Sequence, residues 1–537
     1  MTVERRTLII LLIIVALGAA LRLWNLGTAE LTFDEGLYAF RSVGYLDYLE
    51  NPAQPTPIQW FAGKALPWWT RLSFHDHPPL VFLVQHAATL LLGDTLFAAR
   101  LPSAFAGIAL IILLFFITRR LFNAPYADKF ALGAAALASV SFPLLFTSRL
   151  AMQESLLLAF MLWNIHAFLR FTEDERRWPA FGATLGLVML TKYVGGLLVP
   201  AYVAYLLITR REMLRRKAFY LGMFLALILS TPVIIYNIAL YRAQGHFDLQ
   251  FSYLLRTMPL YWQGESGKTQ EPFTNIISNL RALYAIPLLV AVLAGIAAAG
   301  ASKERRRQLA LPLLLFVATT LLLFMTGSAL RFSALYMLSF IPLALLPFAA
   351  LHEKGYRTLA YTLFALLIAG EAWFGIRNEF VNAPNYGVAE LDRYIDAVLG
   401  GGRPTLTVRH PNPHLDRVIR RYANKLPMTI APTAIIYDDN IATNPMLWLF
   451  GRRQYYHGVP VMPANVFRKA VVAENGARFR DVALYFVKGE PAAPLRGQLT
   501  NDAAIVERAL KDAKTSPLIT ILGDDNVPAF RMYKFSL

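Results

Sequence analysis

Apolar runs of 17 or more residues recur along this chain, each long enough to cross roughly 30 Å of hydrocarbon as a helix. Of the 537 residues, 56% are hydrophobic and only 16% are charged, which excludes an ordinary soluble globular chain. The expected fold is a polytopic α-helical membrane protein.

Helical spans are expected at 7–24, 98–118, 130–147, 153–170, 179–191, 193–209, 218–239, 283–300, 309–326, 332–350 and 357–376, eleven in all. The two short runs at 179–191 and 193–209 could instead form one broken helix, and charge decides between the readings. With the N-terminus cytoplasmic, two spans there keep the basic clusters in inside loops. These are Arg119, Arg120 and Lys129; Arg176 and Arg177; Arg210, Arg211, Arg215, Arg216 and Lys217; Lys303, Arg305, Arg306 and Arg307; and Lys354 and Arg357. The same clusters explain the net charge of +17 better than nucleic-acid binding does.

A first outer loop is expected over 25–97. Within it, 80–92 (LVFLVQHAATLLL) is apolar but short of a crossing and carries Gln85 and His86, so a helix lying along the outer interface is expected. A second outer loop, 240–282, contains Tyr261-Trp262-Gln263-Gly264-Glu265 and fits a lid, an interfacial segment or an ordinary connection.

At the N-terminus, Arg5 and Arg6 precede an apolar stretch, as in a signal peptide. The run from Thr7 to Leu21 is at the long end for that role and no clear small-x-small cleavage site precedes Arg22, so an uncleaved first span is expected. Composition turns polar near Arg377. Residues 1–376 are expected to form the membrane domain and 377–537 a soluble extracytoplasmic α/β domain, placed outside by the odd span count. Helices are expected at Val388–Leu399, Pro413–Ala423 and 500–513, and strands at Thr405–Arg409, Thr433–Tyr437, Val482–Val487, Leu518–Leu522 and Phe530–Phe535. The absence of cysteine rules out disulfides, Cys-ligated zinc and thiol catalysis without fixing the compartment.

Chemistry-bearing residues gather at the outer ends of the spans. Asp34 and Glu35 follow the first span, well placed to accept a proton or hold a cation. His75, Asp76 and His77 lie in the same loop, Arg100 opens the second span, and Arg149 and Glu154 flank the turn between the third and fourth. Lys192 lies between the short spans and Arg331 between the ninth and tenth. Scattered interfacial anchors would populate both faces, whereas these share one. Structural roles stand beside the chemical ones. Arg100 and Arg331 could snorkel at helix ends, Arg149 and Glu154 could pair across their turn, and Pro78-Pro79 could start a helix. The histidines could be interfacial hydrogen-bonding residues, and Asp34-Glu35 could cap the following helix.

As an ordered set, these residues resemble the GT-C glycosyltransferases of the protein O-mannosyltransferase and aminoarabinose transferase type. Asp34-Glu35 stands where that family carries Asp-Glu soon after its first span, followed by His77-Pro78-Pro79-Leu80 and by Arg100-Leu101 opening the second span. The family's Arg-x4-Asp looks like Arg149-Leu-Ala-Met-Gln-Glu154 with Glu in place of Asp, and its Thr-Lys before a Gly-rich short span looks like Thr191-Lys192-Tyr193-Val194-Gly195-Gly196. The matches cover about residues 1–200, and the remainder agrees only in architecture.

The resemblance implies a GT-C-like bundle and transfer of a hexose or pentose from a polyprenyl-phosphate-linked donor, with inversion at the anomeric carbon. Asp34, Glu35 and Glu154 are then the catalytic candidates, with Asp34 as base. His77, Arg100, Arg149, Lys192 and Arg331 are candidates for the donor phosphate. One carboxylate acting opposite the leaving group suits a single inverting displacement, and no Gly-rich phosphate loop follows a strand. A divalent cation is left open, with Asp34, Glu35, His75 and Glu154 as candidate ligands. The expected partners are the lipid-linked donor, a protein or envelope glycolipid acceptor, and the bilayer. The expected location is the plasma membrane, with the active site extracytoplasmic. A transporter or flippase of lipid-linked sugars would place ionisable residues near mid-bilayer in repeated halves. Here the spans hold few such candidates, Asn164 and His166 in the fourth and Glu371 late in the eleventh, and no halves repeat. An inactive relative that binds envelope sugars or proteins is the third reading.

Overall fold

The computed structural model describes residues 3–49, 51, 54–122, 126–259, 262, 272–399, 403–404, 410–423, 428–430, 433–474, 479–480, 482–497 and 499–537. The chain divides into two compact units, each discontinuous in sequence. One comprises Met1–Leu26, Trp68–Val84 and Arg100–Asn382; the other comprises Gly27–Pro67, Gln85–Ala99 and Ala383–Leu537.

The first unit is a helical bundle, and helix occupies each of the eleven segments read from the apolar runs. Among the described residues, five helices are long and apolar enough to cross a membrane alone, or eight if each bent pair is one span. Ala127–Val140 with Phe142–Ser148 bends by 56°, Lys217–Leu229 with Thr231–Gln244 by 57°, and Phe273–Leu283 with Ile286–Ala301 by 118°. A proline accounts for each break. Pro143, Pro232 and Pro287 open the second halves, where the missing N–H and fixed φ are tolerated while the preceding turn cannot continue. Tyr193–Thr209 and Ala310–Thr326 are shorter apolar helices, as is Leu80–Leu92, whose bounds match the expected 80–92.

The core of this unit is apolar side chains from nearly every helix, among them Leu110, Phe168, Phe181, Leu288 and Leu343. Ile286–Ala301 and Met337–Glu353 approach so closely that a Cβ at Gly295 would lie 2.0 Å from the Leu343 carbonyl oxygen. Small residues permit such packing where lipid supplies no hydrophobic drive between helices. Arg22 is fully buried in the first helix, and its guanidinium donates to the carbonyls of Gly18, Ala138 and Ser139.

The second unit holds a five-stranded mixed sheet: β1 (Thr433–Tyr437), β2 (Val461–Pro463), β3 (Ala483–Gly489), β4 (Ile519–Leu522) and β5 (Pro528–Phe535). The order is β2-β1-β3-β5-β4, with β1 parallel to β2 and β3, and β5 antiparallel to β3 and β4. Ala434, Ile436, Leu484, Phe486 and Tyr533 of the sheet pack on Phe467 of helix Ala464–Glu474 and on Ala503, Val506 and Leu510 of helix Asp502–Asp512. Helices also form at Val388–Leu399 and Pro413–Ala423, as expected. The expected strand Thr405–Arg409 lies outside the described residues, as does Tyr261-Trp262-Gln263-Gly264-Glu265 except for Trp262. A helix does follow Asp34, at Glu35–Gly44, while the helices Arg452–His457 and Ala464–Glu474 and the strand β2 are additional to the sequence reading.

Candidate functional site

Within the bundle, one carboxylate gathers two cations. Glu154 opens the helix Glu154–Glu173, Lys192 ends Trp178–Thr191, and Arg331 lies in the 3-10 turn Leu330–Tyr336. Lys192 Nζ donates to Glu154 Oε1 at 2.9 Å, and Arg331 Nε stands 3.3 Å from the same oxygen. All three line a small pocket with Leu157, Leu158, Val194, Phe332, Ala334 and Leu335. Phe332 presents its ring to both cations, with Lys192 Nζ 4.5 Å and the Arg331 guanidinium carbon 5.2 Å from its centroid. Glu154 Oε2 is buried with no hydrogen-bond partner among the described residues. Two cations set on one carboxylate oxygen at the wall of a pocket form an arrangement that can also receive an anion.

Arg149, five residues before Glu154, turns elsewhere. Its Nε donates to Glu379 Oε1 at 2.6 Å, and Nη1 donates to the carbonyls of Leu21, Arg22 and Trp24. These carbonyls end the helix Arg5–Leu23, where the last C=O groups lack intrahelical partners and a cation is favoured. Arg149 therefore clamps a helix terminus. Arg100 is fully buried rather than snorkelling, and its Nη1 donates to Leu26 O at 2.8 Å.

The loop before Leu80–Leu92 sets Asp76 between two imidazoles: His77 Nδ1 is 3.1 Å from Asp76 Oδ2 and His75 Nδ1 is 3.8 Å from Oδ1. The loop is tied locally by Phe74 N and Ser73 Oγ donating to His77 O. It is also tied to a distant segment by Leu249 N donating to His75 O at 2.8 Å. Next to Leu249, the buried Asp248 accepts from Phe251 N, Asn237 Nδ2 and the Tyr193 hydroxyl, while its own N–H donates to Asn237 Oδ1. Burial raises the Asp248 carboxyl to about 6; the three donors oppose that rise and Asp76 adds to it.

Asp34 and Glu35 belong to the other unit, where Asp34 holds the N-cap position of Glu35–Gly44. The Asp34 side chain makes no capping bond; Asn444 Nδ2 donates to its Oδ1 at 3.3 Å and to Phe33 O at 3.0 Å. Glu35 is fully buried, and its Oε2 accepts from Thr32 N at 3.4 Å. The two neighbouring acids thus differ, Asp34 half-buried and Glu35 enclosed. In the same unit, the buried Arg41 lies 3.6 Å from Asp47.

Of the residues singled out in the sequence, the structure joins Glu154, Lys192 and Arg331 to one another and His75 and His77 to Asp76, and gives Arg149 and Arg100 partners near the end of the first helix. Of the four candidate metal ligands, Glu154 has its Oε1 engaged by two cations. Sequence reasoning missed Glu379, Asp248, Asn237 and Tyr193. The only local signal for the two acids was a carboxylate beside a phenylalanine, Phe380 for Glu379 and Phe247 for Asp248.

Residues 76–236 match the family model described as dolichyl-phosphate-mannose-protein mannosyltransferase. The fold is similar to that of ArnT from Cupriavidus metallidurans bound to undecaprenyl phosphate. The TM-score is 0.54 at 14% identity, covering 97% of each chain. It is also similar to the oligosaccharyltransferase of Archaeoglobus fulgidus tethered to an acceptor peptide, with a TM-score of 0.51 at 14% identity, covering 90% of this chain and 69% of that one. No curated protein matches the sequence. The bent spans, the sheet-bearing second unit and these likenesses agree: this is a multi-pass membrane protein whose fold is similar to that of ArnT and of the oligosaccharyltransferase, both GT-C glycosyltransferases.

Proposed function

We propose that this protein is a membrane glycosyltransferase that moves a sugar from a polyprenyl-phosphate donor to an acceptor on the extracytoplasmic face, with inversion. The observation that carries this reading is the Glu154–Lys192–Arg331 cluster, which sets two cations on one carboxylate oxygen at the wall of a small pocket. A phosphate leaving group develops negative charge as its bond to the anomeric carbon breaks, and prearranged cations stabilise that charge more than they stabilise the ground state. Lys192 and Arg331 supply it in this scheme, with His77 and Arg100 as further donors. The match of residues 76–236 to a mannosyltransferase family model supports the reading, as does the undecaprenyl phosphate bound by a protein of similar fold.

In the proposed step, an acceptor hydroxyl or amine attacks the anomeric carbon from the face opposite the phosphate. The new C–O or C–N bond forms as the bond to the phosphate oxygen breaks, and the lipid phosphate leaves with the electron pair. Asp34 takes the acceptor's proton. Its half-buried side chain, held by Asn444 rather than by a helix cap, suits a base better than the enclosed Glu35. The acceptor is a protein or an envelope glycolipid, and the step needs only one acting carboxylate.

The test is to incubate the purified protein with radiolabelled polyprenyl-phosphate sugars and membrane extract, with and without chelator. Label should reach an acceptor, and Asp34→Asn should lower the rate by about 10²-fold or more. A chelator-sensitive rate would bring in a divalent cation. No transfer from any donor, or full activity in Asp34→Asn, would overturn the reading.

A further inference from the structure

The proposed phosphate site draws on two chain segments, the turn at Lys192 and the loop at His77, and a third segment touches both. Tyr193, next to Lys192, donates its hydroxyl to Asp248, and its ring lies 4.2 Å from that of Phe251. Asp248 also caps Leu249–Leu254 through Phe251 N, which fixes the first residue of that helix, and Leu249 N then donates to the His75 carbonyl. Asn237 holds Asp248 from both sides, accepting from its N–H and donating to its Oδ2 at 2.9 Å each, so the carboxylate has little freedom. A fully buried carboxylate with three donors is expensive to build and holds its geometry once built.

We propose that Asp248 is a positioning residue that sets Lys192 and His77 in register for the donor phosphate, through Tyr193 on one side and through Leu249 and the His75 carbonyl on the other. The inference rests on the reading that Lys192 and His77 meet that phosphate. It gives residues 246–254 of the second outer loop a defined task, to hold two parts of the site at one spacing. Asp248 itself need not touch the substrate.

The probe is a synthetic polyprenyl phosphate without sugar, titrated against the detergent-solubilised full chain. Asp248→Asn and Tyr193→Phe should each bind it about ten- to a hundredfold more weakly than wild type. Melting temperatures should stay within about 4 °C of wild type, a shift no larger than that of a small stability change. If Asp248→Asn fails to fold, Tyr193→Phe decides, because it keeps the ring on Phe251 and loses only the hydroxyl. A purely structural role is separated by coupling: Lys192→Met with Tyr193→Phe should bind no more weakly than Lys192→Met alone, whereas an additive loss overturns the inference. Variants that bind as wild type does overturn the inference alone. A wild-type protein with no affinity for the probe overturns the functional reading, and this inference with it.

Discussion

Arg149 donates its Nε to Glu379 Oε1 at 2.6 Å, a pairing across 230 positions, while Glu154, five residues after Arg149, takes Lys192 and Arg331 instead. With Arg149 3% exposed and Glu379 11%, this is a buried ion pair whose cation also closes the carbonyl end of the first helix. Removing one partner strands the other. Glu379→Gln is expected to destabilise the bundle by about 3 kcal/mol, at the lower end for a broken buried pair because the carbonyls of Leu21, Arg22 and Trp24 remain. Arg149→Met with Glu379→Leu should recover part of that loss, the remainder reflecting the carbonyls of Leu21, Arg22 and Trp24 that lose their donor. Thermal unfolding in detergent checks both, and a double variant no more stable than Glu379→Gln would refute the account.

Much of the fold was legible because its signals are local. Apolar runs set the spans, although the bends at Pro143, Pro232 and Pro287 were read as continuous spans, and β1 was read with the bounds it has, its five residues all buried. The strands β3, β4 and β5 were read to within a few residues for the same reason. The partners of charged groups were not legible, since a pairing across 230 positions leaves no mark on spacing. An Arg and a Glu five apart suggest one another in sequence, yet the turn between them points them to different neighbours. Asp248 was hidden differently. Its partners are an amide and a phenol, neither of which announces a site in sequence, and it lies in a loop whose composition read equally well as a lid or a connection.

Gly36 follows Glu35 and lets the helix Glu35–Gly44 approach residue 444 within the second unit. A Cβ there would sit 2.3 Å from the Asn444 carbonyl oxygen and 2.7 Å from its carbonyl carbon. Both obstructing atoms are backbone, so no rotamer change relieves the clash. Gly36→Ala should therefore cost about 1–3 kcal/mol, and Asn444→Ala should not rescue it. Limited proteolysis of the full chain reports this as earlier cleavage within 383–537; unchanged cleavage would contradict the close approach.

Glu154 lowers the net charge of the Lys192–Arg331 cluster by one, so its neutralisation should act on empty and filled protein in opposite senses. Glu154→Gln leaves two nearby cations without their shared carboxylate and should lower the melting temperature of the empty protein. The same change strengthens the pull on an anion, so a polyprenyl phosphate should raise the melting temperature more in Glu154→Gln than in wild type. A ligand-induced shift equal to or below that of wild type would mean that the phosphate does not sit against these cations.

The Asp248 carboxyl, raised to about 6 chiefly by burial, makes the region around Leu249–Leu254 pH-sensitive. Its ordinary value is near 3.8, so between about pH 4 and 6 the folded state binds a proton that the unfolded state has released. Stability contributed by this group is therefore full below about pH 4, falls as pH rises through that window, and is lost above about 6, by up to about 3 kcal/mol. The direction is opposite to that of a salt-bridged carboxylate, which loses stability on acidification. Asp248→Asn removes the titrating group while keeping its size, so the difference between variant and wild type should grow in the variant's favour from pH 4 to pH 7. Hydrogen exchange of the backbone amides of Leu249–Leu254, compared at pH 4.5 and 7 after correction for intrinsic rates, reads this directly. Protection in the wild type that rises towards pH 7, with Asp248→Asn following the same trend, would show that this carboxylate is already ionised at the lower pH.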